Sequence, residues 1–364
     1  MTEPIHDAGA SRQALQARVE RLPATQLAGQ LLVVGFEGSQ LPSTLSQALR
    51  AGERAGVILF RRNLSEGLDG LLAVQDLCAQ IGGTAPTTLP ALIAIDEEGG
   101  RVARLRPPAL ALPPMRRIAR LGDEELLQRV GRVLGRQLAA LGVTMDFAPV
   151  VDVDTNPDNP IIGDRAFSHR ADEVVTYAAA FCRGLREAGI QNCLKHFPGH
   201  GDTLEDSHLA LPKVVHPRER LDRIELLPFR ELAEIADSMM TAHVVYSSID
   251  PLRPATLSPL IAGDLLRRTL GFQGVLFSDD LEMQAIAGHA SAEASALAAL
   301  SAGCDVLLLC SRADAQERVH RVLVERIDGD GACRRRCVEA ASRSLALRLR
   351  RPSRASTPAE LTSL

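Results

Sequence analysis

Apolar residues in this chain gather in short continuous runs rather than in strict alternation. Eight runs stand out, at Gln30–Phe36, Gly56–Phe60, Pro90–Asp96, Val143–Val153, Ile190–His196, Ser238–Val244, Gly274–Asp280 and Cys304–Cys310. Continuous runs of this length suit strands buried on both faces. Between and after them the apolar spacing turns helical, over 64–81, 123–141, 171–188, 218–234, 257–270, 290–302, 313–326 and 333–349. A short helix around 12–21 leads in. Ser258-Pro259 reads as a helix cap with proline at the first helical position, and Gly303 closes the alanine-rich helix before it. Strands alternating with helices predict an α/β fold. Eight such units predict a single (β/α)8 TIM-type barrel with extra C-terminal helices, covering residues 1–349 and followed by a polar tail at 350–364.

Several of the predicted strands end on ionisable groups. Asp96, His196, His243 and Asp279 all lie at or near the carboxyl end of a run, the end at which barrel enzymes place their chemistry. Composition narrows the classes further. With 364 residues, 46% hydrophobic and 24% charged, the chain has enough apolar surface for a full core. A net charge of −4 gives no electrostatic case for nucleic acid. No apolar run approaches the ~20 residues of a membrane span, and the first residues do not resemble an export signal. Seven scattered cysteines without a C-x-x-C pair read as reduced thiols, so a cytoplasmic location is expected.

The densest chemistry sits in CLKHFPGHGDTLEDSH, residues 193–208. A strand presents Lys195 and His196, breaks at Phe197-Pro198-Gly199, and gives way to a loop with His200, Asp202, Asp206 and His208. A carboxylate two residues before an imidazole can hold the ring in one tautomer, so Asp206 and His208 form a candidate acid/base pair. Two further groups belong to the same predicted face: IDEEGGRVARL, beginning at Ile95, and NPIIGDRAF, with Asp164 and Arg165. Asp96, Arg165, Lys195 and His196 can hold hydroxyl groups by charge-assisted bonds. One strand-end acid, Asp279 or Asp280, can serve as nucleophile. Such a set fits a sugar. The histidines and acids also supply metal-ligand types, but neither H-x-H nor H-E-x-x-H occurs, so no metal and no cofactor are expected.

KHFPGHG, the following D-S-H, GVLFSDDLEM and IDEEGGRVARL together resemble the bacterial β-N-acetylglucosaminidases of glycoside hydrolase family 3, in order from about residue 27 to about residue 310. The resemblance implies a metal-free, retaining, two-step mechanism on a single barrel. It implies Asp279 as the nucleophile, His208 as general acid/base and Asp206 as its partner. Asp96, Arg104, Arg165, Lys195 and His196 match the sugar-binding positions, with Arg101 left as a structural partner for a carboxylate such as Glu97. Asp280 is then a carboxylate at a helix entry or one that supports the site from behind, and His200 and Asp202 shape the loop. Short members of the family release terminal N-acetylglucosamine from 1,6-anhydro-muropeptides inside the cell during peptidoglycan recycling. A monomer acting on a small carbohydrate, without nucleic-acid or membrane partners, is therefore expected. A β-glucosidase of the same family, an N-acetylglucosaminide phosphorylase and a metal-dependent hydrolase on a similar barrel are the competing expectations.

Overall fold

The computed structural model describes residues 7–204, 211–288 and 290–350. Asp206, His208 and the predicted tail from 351 onward lie outside the described residues. Eight parallel strands form the central sheet: β1 (Leu32–Val34), β2 (Gly56–Leu59), β3 (Leu92–Ile95), β4 (Met145–Asp146), β5 (Cys193–Phe197), β6 (Ser238–Thr241), β7 (Val275–Asp280) and β8 (Val306–Leu309). Their order in the sheet is β4-β3-β2-β1-β8-β7-β6-β5. Bridges Met145↔Gln191 and Val150↔Lys195 join the two outer strands and complete the barrel.

Alternation along the strands explains why the sequence runs are continuously apolar. Val33, Ile58, Leu92, Ala94, Met145, Phe147, Cys193, Met240, Val275, Phe277, Val306 and Leu308 pack together inside the barrel. Their neighbours Leu32, Val34, Val57, Ile93, Leu194, Met239, Leu276 and Leu307 belong to the larger cluster shared with the helices. Both faces are buried, so the strands show no regular polar alternate. Phe147 meets Phe277 edge-on, ring centres 5.2 Å apart, at the barrel's centre. At the amino ends of the strands the C-terminal helix Gly331–Leu349 closes the floor. Leu347 joins the interior cluster, and its carbonyl accepts from Gln191 Nε2 at 2.5 Å. Arg348, 2% exposed, donates to the Pro90 carbonyl at 2.7 Å and to Gln30 Oε1 at 2.6 Å.

The structure departs from the sequence expectation in places with local causes. The strand expected within 143–153 is limited to Met145–Asp146, because Pro149 cannot donate to a ladder. The expected helix over 218–234 is two short helices, Arg218–Arg223 and Leu227–Glu231, the second with Pro228 in its first turn. Four α-helices among the described residues were not foreseen, Ala24–Gly29, Ser43–Arg50, Met115–Ala119 and Gln284–Ala287. Nor was the small sheet of Lys213–Val214, Val245–Tyr246 and Asp250–Pro254 beside the barrel mouth. The helix over 257–270 is a wide π-type turn, Pro259–Thr269, with Ser258 Oγ accepting from the Ile261 amide at 3.3 Å as the expected cap.

Asp305, at 0% exposure, ties three helical arginines to the foot of β8: Arg267 at 2.5 Å, Arg336 at 2.9 Å and Arg343 at 3.1 Å. Burial alone would raise its carboxyl, but the three guanidinium charges and the Leu276 amide outweigh that and hold it low. Removing the anion leaves cations without a counter-charge in a poorly hydrated place. Asp305→Ala should therefore lower the unfolding free energy by about 3–5 kcal/mol in urea titrations at neutral pH. A loss below ~1 kcal/mol would mean that water screens the arginines.

Candidate active site

The carboxyl ends of the strands surround a cavity of about 350 Å³ lined by, among others, Asp96, Arg104, Arg165, Lys195, His196 and Asp279. Five of these six come from strand ends or the turns directly after them, so barrel closure itself brings them together. Arg165 comes from a short 3-10 turn, Gly163–Arg165, in the long segment after β4. A larger hollow of about 890 Å³ lies between the N- and C-terminal helices at the opposite end, away from every strand-end carboxylate named above.

One wall of the cavity is a chain of alternating charges. Arg104 reaches Asp96 Oδ2 at 3.2 Å. Asp96 Oδ1 accepts from Lys195 Nζ at 2.8 Å, and the same ammonium meets Glu98 Oε1 at 2.5 Å. Glu98 takes the Arg165 guanidinium in a two-pronged contact, Nε at 2.8 Å and the second nitrogen at 2.9 Å. Burial would push each carboxyl up, but for Asp96 the Lys195 and Arg104 charges win, and for Glu98 the Arg165 and Lys195 charges win, so both are held low. Burial would likewise lower Lys195, and its two carboxylate neighbours raise it instead. Bond counting leaves capacity for a ligand: Lys195 has three N–H groups and uses two, and Arg165 and Asp96 also keep open donors and lone pairs.

The opposite wall carries the acid pair of β7. Val275 and Phe277 point into the barrel; the register with β8 shifts between Phe277 and Asp280, and Asp279 lines the cavity. Asp279 Oδ1 accepts the Asp280 amide at 2.8 Å, and among the described residues Oδ2 has no partner. Burial would raise this carboxyl, but His243 and His196, the Asp280 amide and Lys195 outweigh it and keep it below the ordinary range. Asp280 behaves oppositely. Its Oδ1 caps the Glu282 and Cys310 amides at 3.1 and 3.2 Å, and burial pushes it up to about 7. It is the helix-entry carboxylate foreseen for it. His243 lies behind the acid pair, with Nδ1 at 2.8 Å from Thr256 Oγ1 and Nε2 at 2.9 Å from the Asp280 carbonyl.

His196 is fixed from behind. Its Nδ1 lies 2.7 Å from Oδ2 of Asp152, which has 0% exposure. Asp152 Oδ1 accepts the amides of His196 at 3.1 Å and His200 at 2.6 Å. The glycines of FPGHG have backbone reasons. Gly199 has φ +128, and a Cβ on Gly201 would sit 1.8 Å from the Val153 carbonyl oxygen. His200 is buried against Thr203, 2.8 Å from Nδ1, and desolvation lowers its ring to about 4. Asp202 pairs with His216. Both therefore shape the loop's base, as expected. Arg101 does not pair with Glu97. It grips the Ile161 and Ile162 carbonyls, while Glu97 is occupied by the Arg104 and Leu105 amides at 2.7 and 3.0 Å.

Glu98 and Asp152 are the site residues that sequence reasoning missed. Both sat in plain view, in DEEGG and VVDVD, three residues past the end of β3 and six past the end of β4. Their signal was a carboxylate inside or just beyond an apolar run, which, once buried, has to find a cation or donor.

Eight parallel strands with a partly exposed carboxylate, Asp279, across one cavity from Arg104, Arg165 and Lys195 form a barrel of the kind that carries enzyme chemistry at its carboxyl end. The N-terminal domain of glycosyl hydrolase family 3 matches residues 25–343, and the chain belongs to that family. It is 41% identical over 299 residues to the β-hexosaminidase of Alkalilimnicola ehrlichii, covering 80% of this chain and 84% of that protein. Its fold is similar to a family 3 β-N-acetylglucosaminidase from Paenibacillus sp. str. FPU-7, with TM-score 0.87, 39% identity and coverage of 92% of this chain and 64% of that one. It is also similar to NagZ from Neisseria gonorrhoeae in complex with N-trifluoroacetyl-D-glucosamine, with TM-score 0.73, 32% identity and coverage of 88% and 98%. The chain is an enzyme of the β-hexosaminidase group.

The raised Asp280 carboxyl has a consequence for stability. It keeps its proton in the fold up to about 7, whereas an unfolded aspartic acid loses it near ~3.9. The folded state therefore binds more protons between these values, and stability falls as pH rises through them. Asp280→Asn retains an oxygen for the two amides and cannot ionise. The variant should gain stability relative to the native chain between pH ~4.5 and ~7.5, measured by urea unfolding at both pH values. A constant difference would mean that Asp280 is ionised in the fold.

Proposed function

We propose that the chain is a retaining exo-β-N-acetylglucosaminidase that releases terminal N-acetylglucosamine from peptidoglycan-derived 1,6-anhydro-muropeptides. The observation that carries this reading is Asp279, a carboxylate held ionised with Oδ2 open, facing the charged wall across one cavity. A volume of about 350 Å³ favours a single sugar unit over a chain passing through, which supports the exo mode. Asp96, Arg104, Arg165, Lys195 and His196 hold the sugar through their remaining donors and lone pairs. Asp279 Oδ2 attacks the anomeric carbon while His208 gives its proton to the departing oxygen, forming a covalent glycosyl-enzyme. His208 then takes a proton from water, water attacks the anomeric carbon, and the Asp279 carboxylate leaves. Asp206 orients the His208 ring. All seven cysteines are free thiols, which suits the reducing cytoplasm to which we assign the reaction.

Asp279→Asn should lose more than about 10³-fold in kcat on an aryl N-acetylglucosaminide while melting near the native temperature. A 5-fluoro N-acetylglucosaminide should leave a covalent label on the peptide carrying Asp279, read by mass spectrometry. A label elsewhere removes Asp279 from the role. Comparing aryl N-acetylglucosaminide with aryl glucoside tests the substrate, and faster turnover of the glucoside would favour a β-glucosidase.

For His208→Ala, the loss should grow as the leaving group worsens, because a poor leaving group needs the proton and an activated phenol does not. Presteady-state rates over a graded series of aryl glycosides measure this. A uniform loss across the series would place the proton transfer on another residue.

A further inference from the structure

His196 has one ring nitrogen occupied and one open. Nδ1 is held by buried Asp152 at 2.7 Å, the ring lines the cavity, and among the described residues nothing contacts Nε2. The two oxygens of Asp152 divide their work. Oδ1 pins the backbone turn through the His196 and His200 amides at 3.1 and 2.6 Å, and Oδ2 faces only the ring. Burial would raise the Asp152 carboxyl, but His196, acting by charge and hydrogen bond, and His200 outweigh it and hold it low. An ionised carboxylate only accepts, so the shared proton sits on Nδ1. In the neutral ring Nε2 then bears a lone pair. The cations beside it, Arg104, Arg165 and Lys195, can only donate. A sugar hydroxyl offers one donor as well as acceptors; Asp96 and Asp279 supply acceptors elsewhere in the cavity, and His196 Nε2 is the neutral acceptor on its own stretch of the wall.

We propose that Asp152 is a positioning residue that sets His196 Nε2 as the acceptor for one hydroxyl of the bound sugar, an assignment that rests on reading this cavity as the sugar site. Asp152→Asn isolates the effect. The amide oxygen still accepts the two backbone N–H groups, while the new NH2 donates to Nδ1 and drives the ring proton onto Nε2. The open nitrogen changes from acceptor to donor with little change of shape.

The test uses the full chain with aryl N-acetylglucosaminides in which the 3-, 4- or 6-hydroxyl is replaced in turn by fluorine, which cannot donate. Asp152→Asn should lower kcat/KM on the parent substrate by about 10- to 100-fold. At one of the three positions fluorine should cost the native enzyme about 10-fold more than it costs the variant, the scale of one lost hydrogen bond. At the other two positions the penalties should match. Nitrogen-15 spectra of histidine-labelled protein, with His196 assigned by its disappearance in His196→Ala, should show the neutral ring protonated on Nδ1 in the native chain and on Nε2 in Asp152→Asn. Equal fluorine penalties at all three positions, or a native His196 protonated on Nε2, overturn the proposal. If Asp152→Asn fails to fold, the native tautomer and the fluorine penalties in His196→Ala decide it, since that penalty must vanish when the acceptor is gone. A native chain that turns over no aryl N-acetylglucosaminide would refute the sugar reading, and the tautomer would still report on Asp152.

Discussion

A lysine ammonium taken out of water is the constraint on which the catalytic face depends. Lys195 is 2% exposed, and an isolated cation there would be strongly disfavoured. Asp96 and Glu98 make the position tolerable at 2.8 and 2.5 Å. Both carboxylates in turn need cations, which Arg104 and Arg165 provide. None of these groups can move far without stranding its neighbour, so a wall of flexible side chains becomes rigid. The lysine and the two carboxylates come from strand β5 and the end of strand β3, which only barrel closure through β4 sets beside each other. Folding and pre-organisation of the site are thus one event.

The same side-chain type plays different parts in this small region according to its surroundings. Asp279 stays ionised among histidines. Asp280, its chain neighbour, is pushed up to about 7 by burial, and so is Glu97. Asp146, beneath them at 0% exposure, is pushed well above the usual range by burial, with the Glu97 amide the chief opposing contact. A carboxyl group that has lost water and gained no cation keeps its proton and packs as a neutral group. One that faces the cavity with cations nearby keeps its charge.

The architecture was legible because barrel strands announce themselves: runs such as LLVV, GVIL and VLLL leave no alternative but burial on both sides. The choice between Asp279 and Asp280 was not legible from the residues alone, because inward and outward positions are equally apolar. The strand's register shifts just before them, and only their contacts tell them apart: Asp280 caps the Glu282 and Cys310 amides, whereas Asp279 keeps an oxygen toward the cavity. Glu98 and Asp152 escaped for a related reason. A sequence shows a carboxylate but not the cation or imidazole that a distant strand brings to it, and their partners lie 67 and 44 positions away. The short strand at Met145–Asp146 and the split helix after residue 217 follow from prolines whose local effect was visible but whose reach was not.

The closure of the barrel floor by the last helix sets an order on biosynthesis. Leu347 and Arg348 complete a layer whose other members come from strands made much earlier. A nascent chain that has already emerged with all eight strands still lacks the side chain that fills the interior from below and the guanidinium that ties Gln30 to Pro90. Until the ribosome has released that helix, water can enter the barrel from beneath, and the interior cannot reach its final density. The barrel is therefore closed from the end opposite the cavity of charged side chains.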